Sequence, residues 1–120
     1  MKKTILLISC LLASAAHAAF DHHDLSTEEA ETVKAAITKR LKDPDSAKFG
    51  ALAAVKYRDG IIVCGTVNAK NSYGGYSGAS PFVGEFVGAM FQLQKFGDNS
   101  SEMYHVLARC QNAGALPPDL

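Results

Sequence analysis

Residues 63–82, VCGTVNAKNSYGGYSGASPF, consist of an apolar half followed by a polar half. The run from Val63 to Val67 is rich in strand-forming residues and contains Cys64. The remainder is dense in Asn, Gly, Ser and Tyr and ends at a proline, and such residues favour turns and loops. The stretch therefore predicts a strand that carries a covalent anchor and leads into a loop of recognition-type side chains.

A β-hairpin is predicted immediately before this loop. Residues 51–58 and 61–68 are apolar runs joined by Asp59-Gly60, and Asp-Gly between such runs is a strong signal for a two-residue turn. That turn would place Val55 opposite Cys64 on the face that we expect in the core. The opposite face mixes charged and apolar side chains, so either the first helix or a second subunit, in a homodimer, is expected to cover it.

A first helix is predicted from about residue 27 to residue 42. Ser26 and Glu29 form a capping box, and apolar residues follow at helical spacing. Asp43-Pro44 ends the helix, because the residue before proline is pushed out of helical conformation. The helix dipole explains the basic residues near this end without a binding role, namely Lys39, Arg40 and Lys42.

Two more strands and a second helix are predicted after the loop. Residues 82–87 and 90–96 both favour strands, and Phe82, Gly84 and Phe86 would share one face, although a helix across residues 85–95 is an alternative. Asn99 and Glu102 resemble a capping box and start a helix that runs to about residue 111. Its apolar stripe consists of Met103, Val106, Leu107 and Cys110.

Residues 1–18 have the pattern of a secretory signal peptide, with two lysines, an apolar run and the cleavage site Ala16-His17-Ala18. The run is shorter than the roughly 20 residues of a membrane span. We therefore expect a bacterial protein that is exported to the periplasm or the medium, without stable membrane insertion. Lipidation at Cys10 is disfavoured, because this cysteine lies inside the apolar run.

Removal of the signal peptide leaves two cysteines, Cys64 and Cys110. An even number of cysteines in an exported chain predicts a disulfide, which would stabilise this fold by about 4 kcal/mol in the chain-entropy model. Two free buried thiols are the alternative. A metal pair is disfavoured, because no histidine or further cysteine stands at ligand spacing from either residue.

The charge balance argues against some partners. Lys2 and Lys3 belong to the signal, so the mature chain keeps 10 of the 12 basic residues against 12 acidic ones. Neither charge forms a long run. Nucleic acids and anionic membranes require a basic patch, so neither is expected as a partner.

Together these features predict a small single α+β domain over residues 26–112. It would contain an N-terminal helix, an antiparallel sheet of three to four strands, and a C-terminal helix joined to the sheet by the disulfide. Residues 19–25 are expected to form a flexible N-terminus and residues 113–120 a C-terminal tail. His22-His23 could hold a metal ion loosely, but a solvated polar segment is the simpler interpretation, so no metal site is predicted.

The polar half of the opening stretch, residues 68–80, is the candidate binding surface. Its amides could bind a polar ligand, and its tyrosine rings could contact a sugar or a protein partner. The simpler interpretation is structural, because Asn and Ser side chains also satisfy the backbone of a loop. The candidate binding residues are Asn68, Lys70, Asn71, Tyr73 and Tyr76.

No catalytic constellation and no cofactor motif is found. His105 lies off the apolar stripe of the second helix, and residues 75–78 lack the spacing of a nucleophile elbow. Glu85, between apolar neighbours, is the one acid whose pKa burial could raise, but the simpler interpretation is that it faces solvent or pairs with a lysine across the sheet.

Two blocks, LKDPDSAKF at residues 41–49 and VCGTVNAKNSYGGYSG at residues 63–78, resemble a family of small exported bacterial proteins of unknown function. The members of that family look like a signal peptide or lipid anchor followed by one such domain, and the resemblance implies no activity. The sequence favours a non-enzymatic binding or accessory module of the cell envelope that uses residues 68–80. Its partner would be an unidentified envelope protein or a small polar ligand. A small inhibitor of an envelope enzyme is the alternative, and a hydrolase ranks last.

Overall fold

The structure is a computed structural model that describes residues 20–120. The predicted signal peptide and Cys10 lie outside the described residues. The elements are α1 (Thr27–Thr38), a 3-10 helix (Pro44–Ser46), β1 (Lys48–Phe49), β2 (Ala53–Tyr57), β3 (Gly60–Lys70), β4 (Tyr76–Val87), β5 (Met90–Phe96) and α2 (Ser100–Ala113). The predicted α+β class is confirmed. The sheet has five strands rather than the predicted three to four, and the additional one is the two-residue β1.

The strands form one antiparallel sheet in the order β1-β3-β4-β5, and β2 pairs with β3. Both predicted strands after the loop, β4 and β5, are present. β3 is the central strand, because it pairs with three others.

The sheet lies between the two helices, and each face of β3 packs against one of them. Cys64 belongs to the cluster that α2 covers, whereas Val63 belongs to the cluster that α1 covers. Successive side chains of a strand point to opposite faces, so one strand serves both clusters. We expected either the first helix or a second subunit to cover the hairpin face opposite Cys64. In the structure the first helix, α1, covers it through Val33 and Ile37.

The predicted disulfide is confirmed. The Sγ atoms of Cys64 and Cys110 are 2.09 Å apart, and their Cα atoms are 6.1 Å apart. The bond joins the central strand to α2, and both cysteines are fully buried.

The register of the first hairpin differs from the prediction by two residues. Tyr57 pairs with Gly60, so the turn is Arg58-Asp59, and Arg58 has a φ of 54°. Val55 therefore faces Ile62 rather than Cys64. A shift of two residues leaves every side chain on its predicted face, so the core assignment of Cys64 still holds.

α1 ends at Thr38, four residues before the predicted end at Lys42. The backbone N–H groups of Arg40 and Leu41 donate to the carbonyls of Ile37 and Thr38, which tightens the chain into a turn. The basic residues that we assigned to the helix end therefore lie in the connection beyond it.

Both terminal segments pack against the domain. The predicted flexible N-terminus lies along β2 from Asp21 to His23, where the backbone N–H of Lys56 donates to the carbonyl of Asp21 at 2.8 Å. In the predicted C-terminal tail, Ala115 is fully buried, and Asp119 accepts from the backbone N–H of Ala51 at 3.2 Å. Within residues 20–120, no helix combines the length and apolar character of a membrane span.

Candidate functional site

The candidate surface is the outer part of the β3–β4 hairpin, residues 68–80, which we call the distal hairpin. We expected a loop here, and that expectation is wrong for most of the segment. β3 continues to Lys70 and β4 begins at Tyr76, so only residues 71–75 connect the strands. Lys70 pairs with Tyr76, and Gly78, at a φ of 101°, takes up the irregularity in the pairing. Backbone pairing with the neighbouring strand outweighs the turn-forming composition.

The side chain of Asn71 organises the connection. Its Oδ1 atom accepts from the backbone N–H groups of Tyr73 at 2.9 Å and Gly75 at 3.3 Å. Its own backbone N–H donates to the carbonyl of Gly75 at 2.8 Å. An asparagine that bonds its following backbone in this way holds a turn in one conformation. Asn71 therefore has a clear structural role.

The two candidate tyrosines differ in their surroundings. Tyr73, at the tip, is 97 % exposed, whereas Tyr76, at the base, is 40 % exposed. The hydroxyl of Tyr76 donates to the carbonyl of Ser46 at 3.0 Å. Tyr73 is therefore presented to solvent on an ordered turn, and Tyr76 is held against the domain.

The base of the distal hairpin is where the two blocks of the family resemblance meet. The Oγ atom of Ser46, from the first block, accepts the backbone N–H of Lys70 at 2.8 Å. The ammonium group of Lys48 lies 4.5 Å from the centre of the Tyr76 ring, and that of Lys70 lies 5.8 Å from it. Sequence reasoning missed Ser46 and Lys48. The paired occurrence of the two blocks was the signal that could have indicated their contact.

Asn68 is separated from Asn71 by the sheet. It pairs with Lys48 and Ala79 on the face that carries Cys64, and its Oδ1 atom is buried without a hydrogen-bond partner among the described residues. Asn71 instead lines a groove on the opposite face, together with Val67. The structure therefore does not bring the two amides together as one ligand site.

That groove has a volume of about 350 Å³ and runs between the distal hairpin and the chain after α1. Arg40 and Lys42, from the chain after α1, line it together with Ser77 and Ser80 of β4. We had assigned the two basic residues to a solvated helix end. Their place opposite the hairpin depends on the early end of α1, which the sequence pattern does not reveal.

The remaining polar candidates lie elsewhere. His105 is exposed on α2, and Glu85 accepts from the side-chain amide of Gln94 at 3.1 Å. Hydrogen bonds from His23 and from the backbone of Ser26 lower the pKa of Glu29, in the N-terminal cap of α1. Within the described part of the chain, no group of three or more His, Cys, Asp or Glu side chains is placed to hold a metal ion.

Comparison of the chain with known protein families, curated proteins and solved structures finds no match. The resemblance of the two blocks to a family of exported proteins therefore stays a prediction.

Proposed function

We propose that this chain is a non-enzymatic binding module of the bacterial cell envelope, and that the tip of the distal hairpin contacts a protein partner. The observation that carries the proposal is the exposure of Tyr73, which is 97 % exposed to solvent. A tyrosine offers a large and rigid contact area, and aromatic residues are enriched at the centres of interfaces.

The shape of the site favours a protein over a small polar ligand. Residues 72–76 are all exposed and none of them lines the groove, so the tip itself is convex. A small ligand held by both candidate amides would need them in one concave site, but Asn71 lines the groove and Asn68 lies on the other face of the sheet. The bonds of Asn71 support binding as well, because an ordered turn loses less conformational entropy when it meets a partner.

The compartment rests on the disulfide and on the predicted signal peptide. A disulfide between two buried cysteines fits an oxidising compartment such as the periplasm or the medium. The signal pattern of residues 1–18 supports the same assignment.

A capture experiment on envelope extract tests the proposal. The immobilised wild-type protein is compared with Tyr73→Ala, and Tyr104→Ala serves as the matched control, because Tyr104 is a tyrosine on α2 with 70 % exposure. We expect a captured protein that Tyr73→Ala loses and Tyr104→Ala retains. Identical profiles for all three proteins would reject the tip as the contact.

Inhibition of an envelope enzyme is the second candidate, and the convex tip favours it. An ordered, projecting turn can enter the cleft of an enzyme and block it. If the captured partner is an enzyme, wild-type protein should reduce its turnover, and Tyr73→Ala should not. If saturating wild-type protein leaves the turnover of that enzyme unchanged, inhibition is rejected and the accessory role is the remaining candidate.

A further inference from the structure

The base of the distal hairpin brings two lysines to one aromatic ring. Lys48 extends from β1 and Lys70 from the end of β3, and their ammonium groups lie 4.5 Å and 5.8 Å from the centre of the Tyr76 ring. The sum of these distances limits the separation of the two nitrogens to about 10 Å. Two positive groups from different strands therefore lie beside one ring, no more than about 10 Å apart.

Two hydrogen bonds to Ser46 hold Lys70 and Tyr76 in this arrangement. The Oγ atom of Ser46 accepts the backbone N–H of Lys70, and the carbonyl of Ser46 accepts the hydroxyl of Tyr76. The ring of Tyr76 cannot turn away without breaking that bond. Groups that are already in place bind a ligand with a smaller loss of conformational entropy than mobile groups do.

Both ammonium groups are free to bind an acceptor. The ion pairs among residues 20–120 involve other basic side chains, so neither Lys48 nor Lys70 has a carboxylate oxygen within 4.0 Å there. Each ammonium group carries three N–H donors, and contact with an aromatic ring leaves these donors available for hydrogen bonds to an acceptor. The site therefore offers donors and positive charge together.

The chemistry of the site indicates a small anion. Phosphate and carboxylate groups present several oxygens and a negative charge, and they form short, charge-assisted hydrogen bonds with ammonium groups. Tyr76 is 40 % exposed, which leaves surface for the body of an organic ligand. A nucleic acid would need a longer basic stripe than two lysines provide.

We propose that Lys48 and Lys70, held beside Tyr76, bind the phosphate or carboxylate group of a small organic anion. The proposal goes beyond the protein contact of Tyr73 and does not depend on it, because the lysines lie at the base of the distal hairpin and Tyr73 lies at its tip.

Nuclear magnetic resonance titration of the purified, disulfide-bonded protein tests the proposal. The probes are inorganic phosphate, citrate and, as an uncharged control, glucose. We expect saturable shifts of the Lys48, Lys70 and Tyr76 signals with phosphate or citrate, and none with glucose. The tighter of the two anions identifies phosphate esters or carboxylates as the ligand class. High salt should weaken the binding, because exposed charges are screened.

Charge-neutral variants locate the site. Lys48→Gln and Lys70→Gln should each raise the dissociation constant about tenfold, as expected for the loss of one hydrogen bond to a charged group. Lys56→Gln is the matched control, because it removes the same charge from an exposed position on β2. If Lys70→Gln disturbs the hairpin, Lys48→Gln carries the test alone, because Lys48 is exposed.

Three results would overturn the proposal. The first is the absence of saturable shifts with either anion. The second is an equal loss of affinity in Lys56→Gln and Lys48→Gln, which would indicate a general effect of net charge. The third is a set of shifts spread over all the exposed lysines.

Discussion

The β3–β4 hairpin has two halves that are formed by the same strands and differ in burial and in the contacts that hold them. In the inner half, Val63 and Phe82 are fully buried, and the disulfide at Cys64 joins the strand to α2. In the distal hairpin, residues 71–79 are exposed, and hydrogen bonds of Asn71 and Ser46 hold the chain. The comparison shows that one pair of strands can be scaffold at one end and a presented surface at the other.

The largest expected effect comes from the inner half. Replacement of both cysteines, in Cys64→Ala/Cys110→Ala, should lower the free energy of unfolding by about 4 kcal/mol, because the bond closes a loop with a sequence separation of 46. Denaturant unfolding of wild type and variant measures this difference. A loss of less than about 1 kcal/mol would mean that the crosslink constrains the unfolded chain far less than the model of loop closure requires.

The same substitution, glycine to alanine, tests the contrast when it is made once in each half. A Cβ atom at Gly84 would lie 2.6 Å from the carbonyl oxygen of Gln92, whereas a Cβ atom at Gly75 would meet nothing within 4 Å. Gly84→Ala should therefore destabilise the fold by about 1–3 kcal/mol, as overpacking does. Gly75→Ala should change stability by no more than about 0.5 kcal/mol.

Thermal or denaturant unfolding of the two glycine variants provides the measurement. Equal losses in Gly84→Ala and Gly75→Ala would contradict the contrast, because both halves would then be packed to the same degree.

Gly60 explains why the register of the first hairpin was predicted wrongly from the sequence. We placed Gly60 in the first turn, because Asp-Gly is typical of two-residue turns. In the structure it opens β3, and a Cβ atom there would lie 2.6 Å from the carbonyl oxygen of Phe86. The glycine permits a close approach to β4, which depends on tertiary packing and leaves no mark in the local pattern. The faces of the strand were nevertheless predictable, since the error was an even number of residues.

The candidate site was predictable in part. The composition of residues 68–80 indicated an unusual surface, and Tyr73 is indeed exposed there. The pairing of Lys70 with Tyr76 was missed, because Asn, Gly and Ser are poor strand formers in isolation. The positions of Ser46 and Lys48 depend on the pairing of β1 with β3, a contact between distant parts of the chain.

A smaller effect is expected at the tip. Asn71→Ala removes the acceptor of two backbone N–H groups, so the turn should open locally while the core stays intact. Amide hydrogen exchange at Tyr73 and Gly75 should accelerate, and global stability should fall by less than about 1 kcal/mol. Ser72→Ala is the matched control, because Ser72 is an exposed neighbour in the same turn. Unchanged exchange in Asn71→Ala would show that the turn holds without its side chain.

The smallest expected effect is a change of stability with pH, and it should leave the tip of the distal hairpin unaffected. The bond from His23, with that from the backbone of Ser26, lowers the pKa of Glu29 from its usual value of 4.5. A lowered folded pKa means that this stabilisation is complete above 4.5 and is lost as the pH falls through the folded value. Unfolding measured across this range should therefore show a slope that Glu29→Gln reduces, with no change in exchange at the tip. An identical slope in the variant would assign it to other carboxylates.

Photo-crosslinking in the living envelope tests the central claim most directly. A photoreactive aromatic residue replaces Tyr73 in one variant and Tyr104 in another, since both side chains are exposed. We predict a discrete crosslinked protein from position 73 and none from position 104. Crosslinks of equal yield and identity from both positions, or none from position 73, would contradict the assignment of the distal hairpin as the contact surface.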